Sequence, residues 1–107
     1  MSLATILTGQ IIEFVYNEGG YAFRASSTGI YDTQKQHFRT APKKGVSDIL
    51  ACYFGRLIAI EVKIGTDRLS SEQTGFLKNV EHAGGIAIVA KDFETFKEQW
   101  TKAVKLL

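Results

Sequence analysis

The sequence predicts an α/β fold: a mixed β-sheet flanked by helices, in the order α-β-(hairpin)-β-β-α-β-α. Three observations carry this expectation. Residues 47–53 and 56–64 are both rich in β-branched and aromatic side chains and are separated only by Phe54-Gly55, the pattern of two strands joined by a tight reversal. Apolar residues recur at helical spacing near both ends of the chain: Ile6, Leu7, Ile11, Ile12, Phe14 and Val15 at one, Phe93, Phe96, Trp100 and Val104 at the other. Between them, residues 86–90 (Ile-Ala-Ile-Val-Ala) form the continuous apolar run of a strand buried on both faces. A chain of 107 residues with 45% hydrophobic content reads as one domain, 1–107, with material for a single core.

Taken in order, residues 5–17 form the first helix. Gly19-Gly20 stops it, because glycine accepts the left-handed conformation of a helix end. Residues 21–24 (Tyr-Ala-Phe-Arg) read as a strand. Residues 25–45 are the least regular part: Ile30-Tyr31 and His37-Phe38-Arg39 read as arms of a hairpin with 32–36 at its tip, and Pro42 and Gly45 punctuate the exit. After the strand pair, 65–69 is a loop. Ser70 and Gln73 form an S-x-x-Q capping box that starts a helix running to about His82, with Phe76, Leu77 and Val80 facing the core. Gly84-Gly85 ends it. Asp92 caps the last helix, whose Phe93–Trp100–Val104 stripe reads as core or as a surface for self-association, together with the first helix.

Composition excludes several classes. No apolar run approaches the ~20 residues of a membrane span, and the opening residues lack a basic start, so an intracellular protein is expected. The single cysteine, Cys52, has no internal disulfide partner and lies in an apolar run, where a buried inert thiol is expected. A net charge of +2 argues for no partner by itself. Its distribution says more. Residues 33–47 carry Lys35, Arg39, Lys43, Lys44 and His37 without any acid, and Arg24 precedes them. A basic segment beside acidic metal ligands suits a protein that grips a phosphate backbone.

The acids in question are Asp48 and Glu61. Asp48 opens one strand of the predicted pair, and Glu61 and Lys63 lie two apart on the other, so the latter two emerge on one face while Val62 points into the core. An E-x-K pair alone is common on exposed strands. Here the flanking segments 49–51 and 57–60 are apolar, so both strands look central, and three ionisable groups on central strands are costly unless they bind something. A hard cation such as Mg²⁺ or Mn²⁺ takes oxygen ligands, usually one or two carboxylates plus waters. Asp48, Glu61 and the Val62 carbonyl could supply them. Such an ion neutralises a phosphodiester and lowers the pKa of water beside it. The Lys63 ammonium would orient that water or stabilise charge on the phosphate. The residues thus point to a metal-dependent nuclease. No Cys/His cluster offers a competing metal site: His37 and His82 lack partners at ligand spacing. No small-molecule cofactor is expected.

The order Gly45-x-Ser47-Asp48, Ile60-Glu61-Val62-Lys63, Gln73 on the next helix, then Gly84-Gly85 and an apolar strand resembles the VRR-NUC (virus-type replication-repair nuclease) branch of the PD-(D/E)XK nucleases. The resemblance covers about residues 10–96 and implies a restriction-endonuclease-like core. It implies Asp48 and Glu61 as metal ligands, Lys63 as the catalytic lysine and Gln73 as the glutamine of the following helix. An acid on the first helix often joins the site in that family, with Gln10 or Glu13 the candidates here. Ser47 stands where the superfamily name has proline. Short stand-alone members are associated with homodimers acting on branched DNA such as Holliday junctions.

Three functions remain in view: a structure-specific endonuclease of branched DNA, a nicking or sequence-specific endonuclease of duplex DNA, and a non-catalytic nucleic-acid-binding module. Tyr31 and Phe38, interleaved with Lys35 and Arg39, are candidates for stacking on unpaired bases, with hairpin packing the alternative.

Overall fold

The computed structural model describes residues 1–25, 30–32, 37–39 and 44–105, with 30–32 and 37–39 given by their backbone. The elements are α1 (Leu3–Asn17), β1 (Tyr21–Arg24), β2 (Ile30–Asp32), β3 (His37–Arg39), β4 (Ile49–Tyr53), β5 (Arg56–Val62), α2 (Ser71–His82), β6 (Ile86–Ala90) and α3 (Phe93–Val104). The main sheet has the order β1-β4-β5-β6, and β2 pairs with β3 separately. β4 is antiparallel to β1 and β5, whereas β5 and β6 run parallel, connected through α2. This is the expected mixed α/β fold, with β4 and β5 as its central strands and the expected β2–β3 hairpin paired as a separate ribbon.

The β4–β5 turn sets the geometry of the rest. Phe54 (φ 50°) and Gly55 (φ 77°) both occupy the left-handed region. A two-residue loop with positive φ at both positions matches the twist of the strands it joins. The pair Tyr53↔Arg56 closes it, and the ladder then runs to Ile49↔Ile60. Glycine suits such a turn; a bulky Phe there is uncommon, and Phe54 leans edge-on against Tyr53, ring centroids 4.6 Å apart.

Side-chain alternation along these strands feeds two cores. On one face α1 and α3 enclose Ile49, Ala51, Ile58, Ile60, Ile88 and Ala90. Phe14 of α1 meets Phe93, Phe96 and Trp100 of α3 edge-on at 6.0, 5.6 and 5.9 Å, pairings that each add about 0.5–1.5 kcal/mol to burial. On the other face α2 lays Leu77 and Val80 over Ala59, with Leu50, Ala87 and Val89 against them. Both faces of β6 are therefore covered, as its apolar run implied. The capping box of α2 forms as read: the Ser70 Oγ accepts from the Gln73 N–H, and the Gln73 Oε1 accepts from the Ser70 N–H.

Phe96 and Trp100 are 0% and 1% exposed, so they belong to the core, the first of the two readings of the α3 stripe. One expectation is corrected: Cys52 is exposed. Alternation places it with Leu50 on the α2 side of the sheet, toward β1, where α2 no longer covers the strands. Tyr21, Phe23 and Leu57 stand open on that same area, at 57%, 44% and 45% exposure. Among the described residues no helix is long and apolar enough to cross a membrane.

Candidate active site

The register of the β4–β5 pair brings the two acids together. Continuing the ladder one step past Ile49↔Ile60 sets Asp48 level with Glu61, and directly opposed residues share a face. Ala59, Glu61 and Lys63 alternate onto the α2 face, while Val62 turns into the opposite core at 7% exposure. Asp48 is held in place: its Oδ2 accepts the Val62 N–H at 2.8 Å. The preceding Ser47 is fully buried, and its Oγ donates to the Ile49 carbonyl at 2.8 Å. Gly45 (φ 78°) lies against the first turn of α2, where an added Cβ would run into the backbone carbonyl of Glu72. The loop that delivers Asp48 is thus seated on the helix that carries Gln73, and glycine is required there both for conformation and for space.

Glu61 is 1% exposed, and among the described residues neither of its carboxyl oxygens has a hydrogen-bond partner. Burial first, and the neighbouring Asp48 second, raise its pKa from 4.5 to about 8, with Lys63 pulling the opposite way. A buried, unpaired carboxyl facing a second carboxyl is unfavourable. A cation between them would remove both causes. The donor set fits a hard divalent ion, which binds through one or two carboxylates and keeps several waters. No third His, Cys, Asp or Glu joins the pair among the described residues.

These side chains line a cleft of about 220 Å³. Asp48, Glu61, Val62 and Lys63 come from the end of the sheet, Gln73 from α2, Arg24 from β1, and Ala4, Thr5 and Thr8 from α1. Gln73 both caps α2 and lines the cleft. Its Oε1 is committed to the Ser70 N–H at 2.8 Å, which leaves the amide NH₂ as the group available to the cleft.

The first helix departs from expectation. Gln10 and Glu13 are exposed, and neither lines the cleft. The reason is helical phase: at ~100° per residue, Gln10 lies ~200° and Glu13 ~140° around the helix from Thr8. Thr5 and Thr8 occupy the position sought for an acid. The Thr8 Oγ1 donates to the Ala4 carbonyl at 2.7 Å. Sequence reasoning looked for a carboxylate and so passed over both threonines; a polar residue within the buried Leu7–Ile11–Val15 stripe was the available signal.

Among the basic candidates, Arg24 reaches the cleft and Lys44 is exposed in the turn before Gly45. Lys35 and Lys43 lie outside the described residues, as do the side chains of His37, Arg39, Tyr31 and Phe38.

No protein-family model matches the chain, and no curated protein matches it. Among solved structures it is similar to Hjc, a Holliday junction resolvase of the archaeal hyperthermophile Archaeoglobus fulgidus, with a TM-score of 0.56 and 23% sequence identity over 82% of this chain and 67% of that one. The fold is thus a mixed sheet flanked by helices, similar to that resolvase.

Proposed function

We propose that this protein is a divalent-metal-dependent endodeoxyribonuclease that hydrolyses phosphodiester bonds in branched DNA, a Holliday junction resolvase working as a homodimer inside the cell. The single observation that carries the proposal is the Asp48–Glu61 pair, one member buried with both oxygens unpartnered among the described residues, beside Lys63 on the same strand face. The fold likeness to Hjc supports the choice of branched DNA. The motif order supports placement in the VRR-NUC branch.

Asp48, Glu61 and the Val62 carbonyl would hold Mg²⁺ or Mn²⁺, which when bound neutralises phosphate charge and acidifies water at the site. The remaining work falls to the chain itself. Lys63 holds a positive charge at the cleft, where it stabilises the extra negative charge of the transition state. The Gln73 amide donates to a phosphate oxygen, and Arg24 grips the backbone as a fork rather than a point charge. The Val62 N–H holds one oxygen of the Asp48 carboxylate, which lines the cleft. A two-fold dimer would present two such clefts to the two strands of a symmetric junction. The sheet area around Tyr21, Phe23 and Leu57, left open by α2, is one apolar surface available for it, and exposed Leu3, Ile6 and Tyr16 on α1 offer another.

The test is cleavage of a labelled four-way junction against linear duplex of the same sequence, with Mg²⁺, with Mn²⁺ and with chelator. Junction cutting that requires the ion and is lost in Lys63→Ala is expected. Equal cutting of linear duplex would favour a nicking or sequence-specific enzyme. Binding without cutting under every ion would leave a non-catalytic module.

A further inference from the structure

The cleft does not end at Lys63. A second, larger groove of about 570 Å³ shares that residue as a wall and runs on past it, lined by the loop Gly65, Thr66, Asp67, Arg68 and Leu69 and by Val89 and Lys91. It lies outside the carboxyl ends of the parallel pair β5 and β6, the place where open α/β sheets hold ligands. Its charge is one-sided: among the described residues Lys63, Arg68 and Lys91 stand against Asp67 alone. Arg68 and Lys91 are exposed, and the ion pair found among the described residues, Lys97–Glu94, involves neither. The loop is held by a turn in which the Asp67 N–H donates to the Ile64 carbonyl at 3.1 Å. β6 is tied to the end of β5, where the Lys63 N–H donates to the Ala90 carbonyl at 2.9 Å. Arg68 and Lys91 therefore stand on two anchored segments either side of one channel.

We propose that this groove holds the phosphate backbone of the nucleic-acid strand on one flank of the cleaved bond, with Arg68 and Lys91 as its contacts. The idea rests on the nuclease reading above and extends it. Arg24 lies in the cleft on the other side of Lys63, so the cations Arg24, Lys63, Arg68 and Lys91 trace one path through the site. Each phosphate neutralised by a cation releases counterions, so each lost contact lowers the salt slope of binding by about 0.9 on duplex or about 0.7 on a single strand.

The experiment measures affinity by fluorescence anisotropy for a labelled four-way junction without divalent ion, over a range of salt. The proteins are wild type, Arg68→Gln/Lys91→Gln, and the charge-keeping Arg68→Lys/Lys91→Arg. In the Gln double variant the slope of log affinity against log salt is expected to shrink by about 1.4 to 1.8, from two lost contacts, with affinity down tenfold or more at low salt. The charge-keeping variant should restore the slope. The Mn²⁺-induced rise in melting temperature should persist in all three, since the carboxylates are untouched. Wild-type binding with the same slope in the Gln variant overturns the groove and leaves the nuclease reading standing. Absence of DNA binding by wild type overturns both.

Discussion

Replacing Glu61 by Gln removes a costly buried charge while keeping its shape. The native carboxyl titrates at about 8 instead of 4.5. Between those values the folded protein holds a proton that the unfolded chain has released. Stability therefore falls as pH rises through that window. At ~1.36 kcal/mol per unit the full shift sets a ceiling of about 5 kcal/mol. Relaxation and water entry at the cleft would leave about half, ~2 kcal/mol, for a group in this setting. For a domain of this size 1 kcal/mol moves the melting temperature by about 4 °C. Glu61→Gln should then match wild type near pH 5 and melt about 8 °C higher by pH 9, both measured by scanning calorimetry with chelator present. Adding Mn²⁺ at pH 8 should reverse the order, because an ion at a hundredfold its dissociation constant stabilises wild type by about 2.7 kcal/mol and the amide gives it little to hold. Parallel melting curves across this pH range, or a variant less stable than wild type at pH 9 without metal, would refute the claim that Glu61 is a buried carboxyl awaiting a cation.

Lys63→Ala should keep junction binding within a few fold and lower single-turnover cutting by ~10²-fold or more, the scale of losing one transition-state charge contact. Asp48→Ala should cost about 1–3 kcal/mol by urea unfolding, since it strands the Val62 N–H; Asp48→Asn keeps an acceptor, so it should fold normally yet lose the Mn²⁺ thermal shift. Gln73→Ala should lose about 1 kcal/mol of helix capping along with cutting, while Gln73→Glu preserves the cap and loses cutting alone. Phe54→Asn should raise stability by up to about 1 kcal/mol in thermal melts, because asparagine tolerates the left-handed backbone there.

The parts of the fold that the sequence made legible are those with local rules. The capping box at Ser70, the Asp92 cap, the Phe54-Gly55 reversal and the helical stripes all declare themselves within a few residues, and each stands where it was read. The pairing of Asp48 with Glu61 was legible for the same reason, since a two-residue turn dictates the register beyond it. What the sequence withheld depends on how distant elements sit on one another. Nothing local states how far α2 extends over the sheet, so Cys52 was read as buried when the helix stops short of it. Likewise the rotation of α1 about its axis is set by packing against β1 and α3. That rotation turns Thr5 and Thr8 to the cleft and Gln10 and Glu13 to solvent. Arg68 and Lys91 are nearly two dozen residues apart in the chain, and only the parallel pairing of β5 and β6 makes them neighbours.

The ladder from Tyr53↔Arg56 to Ile49↔Ile60 has one more implication. Hydrophobic alternation and acid alignment are written into the same two strands with the same period. A slip of one residue would part Asp48 from Glu61, and it would also turn isoleucines of the α1–α3 core toward water. Any molecule that has completed its core has therefore already aligned its acids, and a misaligned one betrays itself by failing to fold. Quality control that recognises exposed apolar surface would then also clear away chains whose acids are misaligned, without ever sensing the acids themselves.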